Sequence, residues 1–240
     1  MLASTKAIVL SKLKFKDSDV IVKCYTKEFG VKSYLLRNIL KSKKGKLKIA
    51  YFQELTILDL ETDQRDGRSL QYIKELKLAY HYHSLHTNVV KSTIAMFLSE
   101  ILSNILKEEE ENTELFQFLE TSFVWFDQSD TDASFHLMFL IELTKYLGFY
   151  PNLHQLESNY FNLESGRFQT AESGLFCIGG EKLIFLKALL GIKFDANKKL
   201  NITNTQKREL LDMILIYYNL HLDSFKKPKS IDVLNQVFST

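Results

Sequence analysis

Apolar and polar positions alternate with a period of two through the first third of the chain and take up a helical period beyond about residue 80. Val20, Val22 and Cys24 alternate with Ile21, Lys23 and Tyr25, and Leu58 and Leu60 with Ile57, Asp59 and Glu61, the pattern of a sheet with one buried face. Residues 7–10, 19–25, 31–37, 55–61 and 70–76 read as five short strands, separated by turns such as Lys27-Glu28-Phe29-Gly30 and Arg65-Asp66-Gly67-Arg68. Five strands in so short a stretch suit a small barrel. After residue 79, apolar residues at helical spacing predict helices over 89–107, 114–126, 131–147, 181–190 and 205–222, with Asn112 or Thr113 capping the second and Gly148 closing the third. Residues 149–180, with Pro151 and several glycines, read as less regular. The pattern predicts an α+β protein of two domains: a five-stranded β-barrel at 1–79 and a mostly α-helical domain at 80–240.

Composition adds little to this picture. Hydrophobic residues make up 45% and charged residues 25% of the chain, ordinary for a globular protein, and no apolar run approaches the ~18 residues of a membrane span. The N-terminal residues lack an apolar signal core, so the expected location is cytoplasmic. Cys24 and Cys177 stand far apart, too few for a disulfide framework or a four-thiolate zinc site.

Charge changes the picture more. The total is +2, yet residues 1–77 hold 17 Lys+Arg against 9 Asp+Glu, a surplus of +8 that leaves −6 for the remainder. Lys41, Lys43, Lys44, Lys46 and Lys48 crowd the stretch after the third strand, and Lys14 and Lys16 flank Phe15 between the first two. Such sorting points to a polyanionic partner, because lysines release counterions from phosphates while aromatic rings stack on bases. Of Phe15, Tyr25, Tyr34, Tyr51 and Phe52, about two are expected to face outward, since alternation sends neighbours to opposite faces. Arg37 suits either a bidentate phosphate contact or a structural ion pair.

No catalytic constellation emerges: there is no phosphate-binding glycine loop, nucleophile elbow or paired-histidine helix. His81, His83 and His86 form a cluster without a local carboxylate or thiolate, which reads as hydrogen bonding rather than metal binding. The acidic run 108–111 reads as a solvated helix end.

Several stretches together resemble the bacterial RecO family of recombination mediators. They are Ala7-Ile8-Val9-Leu10, Lys16-Asp17-Ser18-Asp19-Val20-Ile21-Val22, Tyr25-Thr26-Lys27-Glu28-Phe29-Gly30, Arg37-Asn38-Ile39, and Tyr51-Phe52 leading into Leu55-Thr56-Ile57-Leu58-Asp59-Leu60. In the helical half, Phe135 to Leu143 running into Leu147-Gly148-Phe149-Tyr150-Pro151 is similar to the helix and exit that precede the family's variable insert. The resemblance implies that the barrel is an oligonucleotide-binding (OB) fold. It further implies a DNA repair protein, without catalysis or cofactor, that binds single- and double-stranded DNA and anneals complementary strands. With a RecR-type partner it would promote recombinase loading onto DNA coated with single-stranded-DNA-binding protein, at the bacterial nucleoid and not at a membrane. The expected DNA contacts are Lys14, Lys16, Tyr34, Arg37, Lys41, Lys43, Lys44, Lys46 and Lys48. Lys187, Lys207 and Arg208 are candidates for receiving the acidic, apolar tail of single-stranded-DNA-binding protein.

The chain departs from the family in one respect. Many members carry four zinc-binding cysteines after the Leu-Gly-Phe-Tyr-Pro segment, and here the region 149–180 offers Cys177 alone. The expectation is a degenerate, zinc-less insert in which Tyr160, Phe161, Leu163, Phe168, Leu175 and Phe176 pack a small core instead. Two other readings remain open: a protein-interaction adaptor built on an OB-fold, and an RNA-binding protein. A nucleic-acid-processing enzyme whose active site is not legible is a third.

Overall fold

The computed structural model describes residues 2–41, 47–65, 67–106, 111–130, 134–190 and 202–238. The chain packs as two compact units, Met1–Asp130 and Thr131–Thr240.

The first unit is built on β1 (Leu2–Phe15), β2 (Asp19–Thr26), β3 (Gly30–Leu36), β4 (Ile57–Asp63) and β5 (Leu70–Leu78). They close into a barrel in the order β1-β2-β3-β5-β4, antiparallel throughout except for a short parallel pairing of β3 with β5. β1 is much longer than the predicted 7–10, because it serves two neighbours. Its N-terminal half pairs with β4 and its C-terminal half with β2, with a bulge between Val9 and Ser11. Such a bulge bends the strand and lets one segment turn the barrel's corner. Ala7, Val9, Val20, Val22, Cys24, Tyr34, Leu36, Phe52, Leu58 and Leu60 fill the interior.

Ile8, Leu10 and Tyr25 alternate with those positions and point out of the barrel, yet they too are buried. Two helices cover them: α1 (Val89–Ile105) packs on β1, and Phe116 of α2 (Thr113–Gln128) lies 5.9 Å from the Tyr25 ring. Asn88 and Asn112 cap the two helices, accepting from the backbone N–H of Lys91 and Leu115, the second as the sequence suggests. Thus the change of period lies near residue 80, while the packing boundary lies near 130.

A buried polar knot ties the barrel's exit to these helices. The Lys91 ammonium donates to Ser84 Oγ (2.8 Å) and to the carbonyls of Asp127 (2.9 Å) and Ser129 (2.6 Å). The Asp127 carboxylate accepts from the backbone N–H groups of His83, Ser84 and Leu85. Burial alone would raise the Asp127 pKa, but these three donors and the Ser84 hydroxyl together hold it below its ordinary value. Every charge in the knot is thereby satisfied, as burial requires.

The second unit contains α3 (Phe135–Tyr146), α4 (Gly180–Leu190), α5 (Asn204–His221) and α6 (Ile231–Val237), with a small sheet of β6 (Tyr160–Asn162), β7 (Arg167–Gln169) and β8 (Cys177–Gly179) in the order β7-β6-β8. α3 packs against α4 and α5, and the Tyr218 hydroxyl donates to the Leu140 carbonyl at 2.7 Å. Thr203 and Gln206 form a capping box at the start of α5. α3 and α5 occupy predicted regions, whereas α6 and the three short strands are additions to the sequence reading. The small sheet is held to α5 by Gly166, whose φ of +65° suits glycine and whose missing Cβ leaves room for the Tyr217 hydroxyl. No helix among the described residues is long and apolar enough to cross a membrane.

Candidate nucleic-acid interface

Barrel topology gathers residues that the sequence spreads over sixty positions. Phe15 pairs with Asp19, and Val20 with Leu36, so the β1–β2 turn lies beside the end of β3. Hydrogen bonds lock the two together: Asp19 Oδ1 accepts from Asn38 N–H (2.7 Å), and the Ser18 carbonyl accepts from Leu40 N–H (3.2 Å). Lys14, Lys16, Arg37 and Lys41 are all exposed in this region. The Lys16 ammonium lies 5.4 Å from the Phe15 ring centroid.

Arg37 meets no carboxylate among the described residues. It donates to the Tyr72 hydroxyl at 2.8 Å, and its guanidinium carbon lies 5.1 Å from the Tyr72 ring centroid. Arg68 approaches the same ring at 4.8 Å. Two cations therefore converge on one tyrosine, and neither makes an ion pair with a described residue; Arg65, nearby, is paired with Asp63 at 3.2 Å. Lys12 is likewise committed, to Glu54 at 3.2 Å.

The expected contacts fare unequally. Lys14, Lys16, Arg37 and Lys41 are exposed on neighbouring segments at one end of β1, β2 and β3, and Lys48 is exposed at the start of the short 3-10 turn Ile49–Phe52. Lys43, Lys44 and Lys46 lie outside the described residues. Tyr34 requires correction: it is fully buried in the barrel core and offers no face to a base. Burial pushes its hydroxyl pKa well up, with Cys24 adding to the effect. Tyr25 and Phe52 are also core, which leaves Phe15 and Tyr51 as the half-exposed rings among the five considered. Sequence reasoning missed Arg68 and Tyr72. Arg68 was visible as a turn residue, but the parallel β3–β5 pairing that brings it to Arg37 has no local signature.

In the second unit, Lys187 donates to the Ser158 carbonyl at 2.8 Å and lies 5.7 Å from the Phe168 ring, so it fastens α4 to the small sheet. Lys207 and Arg208 are half-buried in the first turns of α5. Within 149–180 the residues do not fit a structural zinc. Cys177 Sγ accepts from Gln169 Nε2 at 3.3 Å, and no group of His, Cys, Asp or Glu among the described residues is arranged to hold a metal. Phe161, Leu163 and Phe168 are buried there, the two rings 4.8 Å apart. Leu175 was expected in that small core but is 88% exposed, because it sits in the loop before β8 rather than on a strand. The His86 ring meets the Glu54 carbonyl at 2.9 Å and the Tyr82 ring at 5.2 Å, a structural role. Of the acidic run, residues 108–110 lie outside the described residues.

Comparison with known proteins identifies the family. Residues 1–82 match the family model described as Recombination protein O N terminal, and residues 86–230 match Recombination protein O C terminal. The chain is 45% identical over 238 residues to a protein of Christiangramia forsetii named DNA repair protein RecO, covering 99% of this chain and 100% of that one. Proteins of the same name from Flavobacterium psychrophilum and Phocaeicola vulgatus are 44% and 35% identical, each match covering 100% of both chains. With a closed five-stranded barrel preceding a helical region and both family models matched in order, the chain belongs to the RecO family of DNA repair proteins.

Proposed function

We propose that this protein is a recombination mediator that binds single- and double-stranded DNA through the basic end of its barrel and anneals complementary strands. The observation that carries the reading is the approach of Arg37 and Arg68 to one ring from two separate turns, with Lys14, Lys16 and Lys41 exposed on the adjoining end of β1, the β1–β2 turn and the turn after β3, and none of the five in an ion pair with a described residue. Cations on one surface neutralise phosphates of both strands and lower the repulsion between them, and base pairing then drives annealing. No bond is made or broken by the protein, so neither a catalytic residue nor a cofactor is needed. With a RecR-type partner, the protein would act on DNA coated with single-stranded-DNA-binding protein and promote recombinase loading, in the cytoplasm at the nucleoid. Lys187, Lys207 and Arg208 remain the proposed contacts for that protein's tail, with Lys187 the weakest of the three because its ammonium is already engaged.

Annealing of complementary fluorescent oligonucleotides tests the reading. The protein is expected to accelerate annealing, with affinity for single strands falling as salt rises at a log–log slope of about −0.7 per phosphate contacted. Alanine at Lys41, Lys43, Lys44, Lys46 and Lys48 together should flatten that slope. Absence of acceleration, or magnesium-dependent cleavage of the DNA, would count against the mediator.

A further inference from the structure

The loop between β7 and β8, residues 170–176, turns one aliphatic side chain outward and holds it there. Leu175 is 88% exposed. The backbone on both sides of it is fastened. Gln169 Nε2 donates to the carbonyls of Ala171 (2.9 Å) and Ser173 (2.8 Å), Asn162 Nδ2 donates to that of Ser173 (3.3 Å), and the Phe176 carbonyl accepts from Leu163 N–H (2.9 Å). Gly174, at a φ of +89°, sets the bend just before Leu175, and a Cβ there would lie 2.6 Å from Asn162 Nδ2. Leu175 is thus a knob fixed in place before anything meets it, and little ordering entropy is left to lose on contact.

Beside the knob lies a groove of about 470 Å³, lined by Leu215, Ile216 and Leu220 from one face of α5 together with Phe176 and Phe225. Leu175 adjoins Phe176 in the chain, yet at its exposure it does not fill the groove of its own chain. Knob and groove carry opposite charge. The charged residue of the loop is Glu172, which is exposed, whereas Lys226 and Lys227 are exposed next to Phe225 at the groove. Asp212 meets Lys227 at 3.8 Å, and an exposed pair at that distance is readily exchanged for another.

We propose that the groove receives Leu175 from a second copy of this chain, each copy giving its knob and taking its partner's across a two-fold axis. A two-fold contact sets one patch against itself, so a knob and a groove that adjoin on one surface are used together. The same contact brings Glu172 toward the partner's Lys226 and Lys227. A basic, apolar groove suits an acidic, apolar segment, and this chain presents one in a fixed conformation beside the groove itself. Two knobs bury far less than the roughly 1,600 Å² of a standard interface, so the dimer is weak and forms in the micromolar range. It carries two barrels, one for each strand that annealing brings together; this consequence rests on the DNA-binding reading, whereas the association does not.

Sedimentation velocity of the full chain over a series of micromolar concentrations tests the proposal, with a monomer–dimer equilibrium as the expected result. Leu175→Asp changes an exposed side chain and should keep the thermal unfolding curve while raising the dissociation constant about a hundredfold, since it falls twice in each dimer. Ile216→Asp should do the same from the groove. Glu172→Lys and Lys227→Glu should each weaken the dimer, and the two combined in one chain should restore it; failure of that rescue would rule out the two-fold pairing. A chain that stays monomeric throughout, or a dimer indifferent to both Leu175→Asp and Ile216→Asp, overturns the proposal. So does a monomer that binds an acidic, apolar peptide and loses it on Ile216→Asp, which would assign the groove to another protein's segment. Oligonucleotide binding by Leu175→Asp should match that of the unmodified chain. Failure of the unmodified chain to bind DNA would sink the DNA-binding reading and leave the dimer standing.

Discussion

Tyr34 and Tyr72 lie on neighbouring strands and on opposite sides of the barrel wall. Local sequence cannot tell the two sides apart. Along 31–37, one face would carry Val31, Ser33 and Leu35 and the other Lys32, Tyr34 and Leu36, two sets of similar character. Register decides, and it places Tyr34 inside, where its hydroxyl has no hydrogen-bond partner among the described residues. A buried hydroxyl left unsatisfied costs about 1–3 kcal/mol. Tyr34→Phe is therefore expected to raise the unfolding free energy by about 1 kcal/mol and to leave DNA affinity unchanged, as denaturant titration and oligonucleotide binding would report. Loss of DNA affinity in this variant would restore Tyr34 to the interface. Arg37, by contrast, could be singled out by sequence as the lone arginine before residue 65, and the structure sets it at the exposed end of β3.

Among elements, those with a sustained period and recognisable caps were legible. α1 and α2 begin after Asn88 and Asn112, whose side chains accept from the first turn as a capping residue should. β1 was read too short because Thr5 and Lys6 on one side and Ser11, Lys12 and Lys14 on the other dilute its apolar signal, and the bulge breaks its alternation. β6, β7 and β8 have three residues each, too few to display any period. They are nevertheless ordered by packing: Phe161 sits against Phe168 and Tyr217, and His221 meets the Leu163 carbonyl at 2.9 Å. These apolar contacts give the region 149–180 a small core of its own. The purified protein is accordingly expected to contain no stoichiometric zinc, and a chelator should leave its thermal unfolding unchanged. Elemental analysis and a melting curve with and without chelator check this; one zinc per chain would overturn it.

For the whole molecule, charge sorting was plain in the sequence, and so was the succession of sheet and helix. The division near residue 130 was not, because it depends on pairs far apart in the chain. Lys91 and Asp127 meet across thirty-five intervening residues, and nothing near either predicts the other. A fragment ending at residue 79 would lose the helices over Ile8, Leu10 and Tyr25 and the Tyr82 hydroxyl that donates to the Leu55 carbonyl at 3.0 Å. Such a fragment should bind hydrophobic dyes and unfold without a sharp transition, whereas residues 1–130 should unfold cooperatively. A cooperative transition in the shorter fragment would show that the barrel is self-sufficient.

The knot around Lys91 has a consequence for how such a chain can be inherited. A dry ammonium shared between the barrel's exit and the end of α2 is useless to either segment alone. A gene rearrangement cutting between Ser84 and Ser129 would strand that charge in a foreign neighbour, at a cost of about 3–5 kcal/mol. A cut before His83 or beyond Ser129 carries donor and acceptors together. The two helices and the turn that leads into them are therefore inherited as one piece, and the knot acts as a lock on where the gene can be divided.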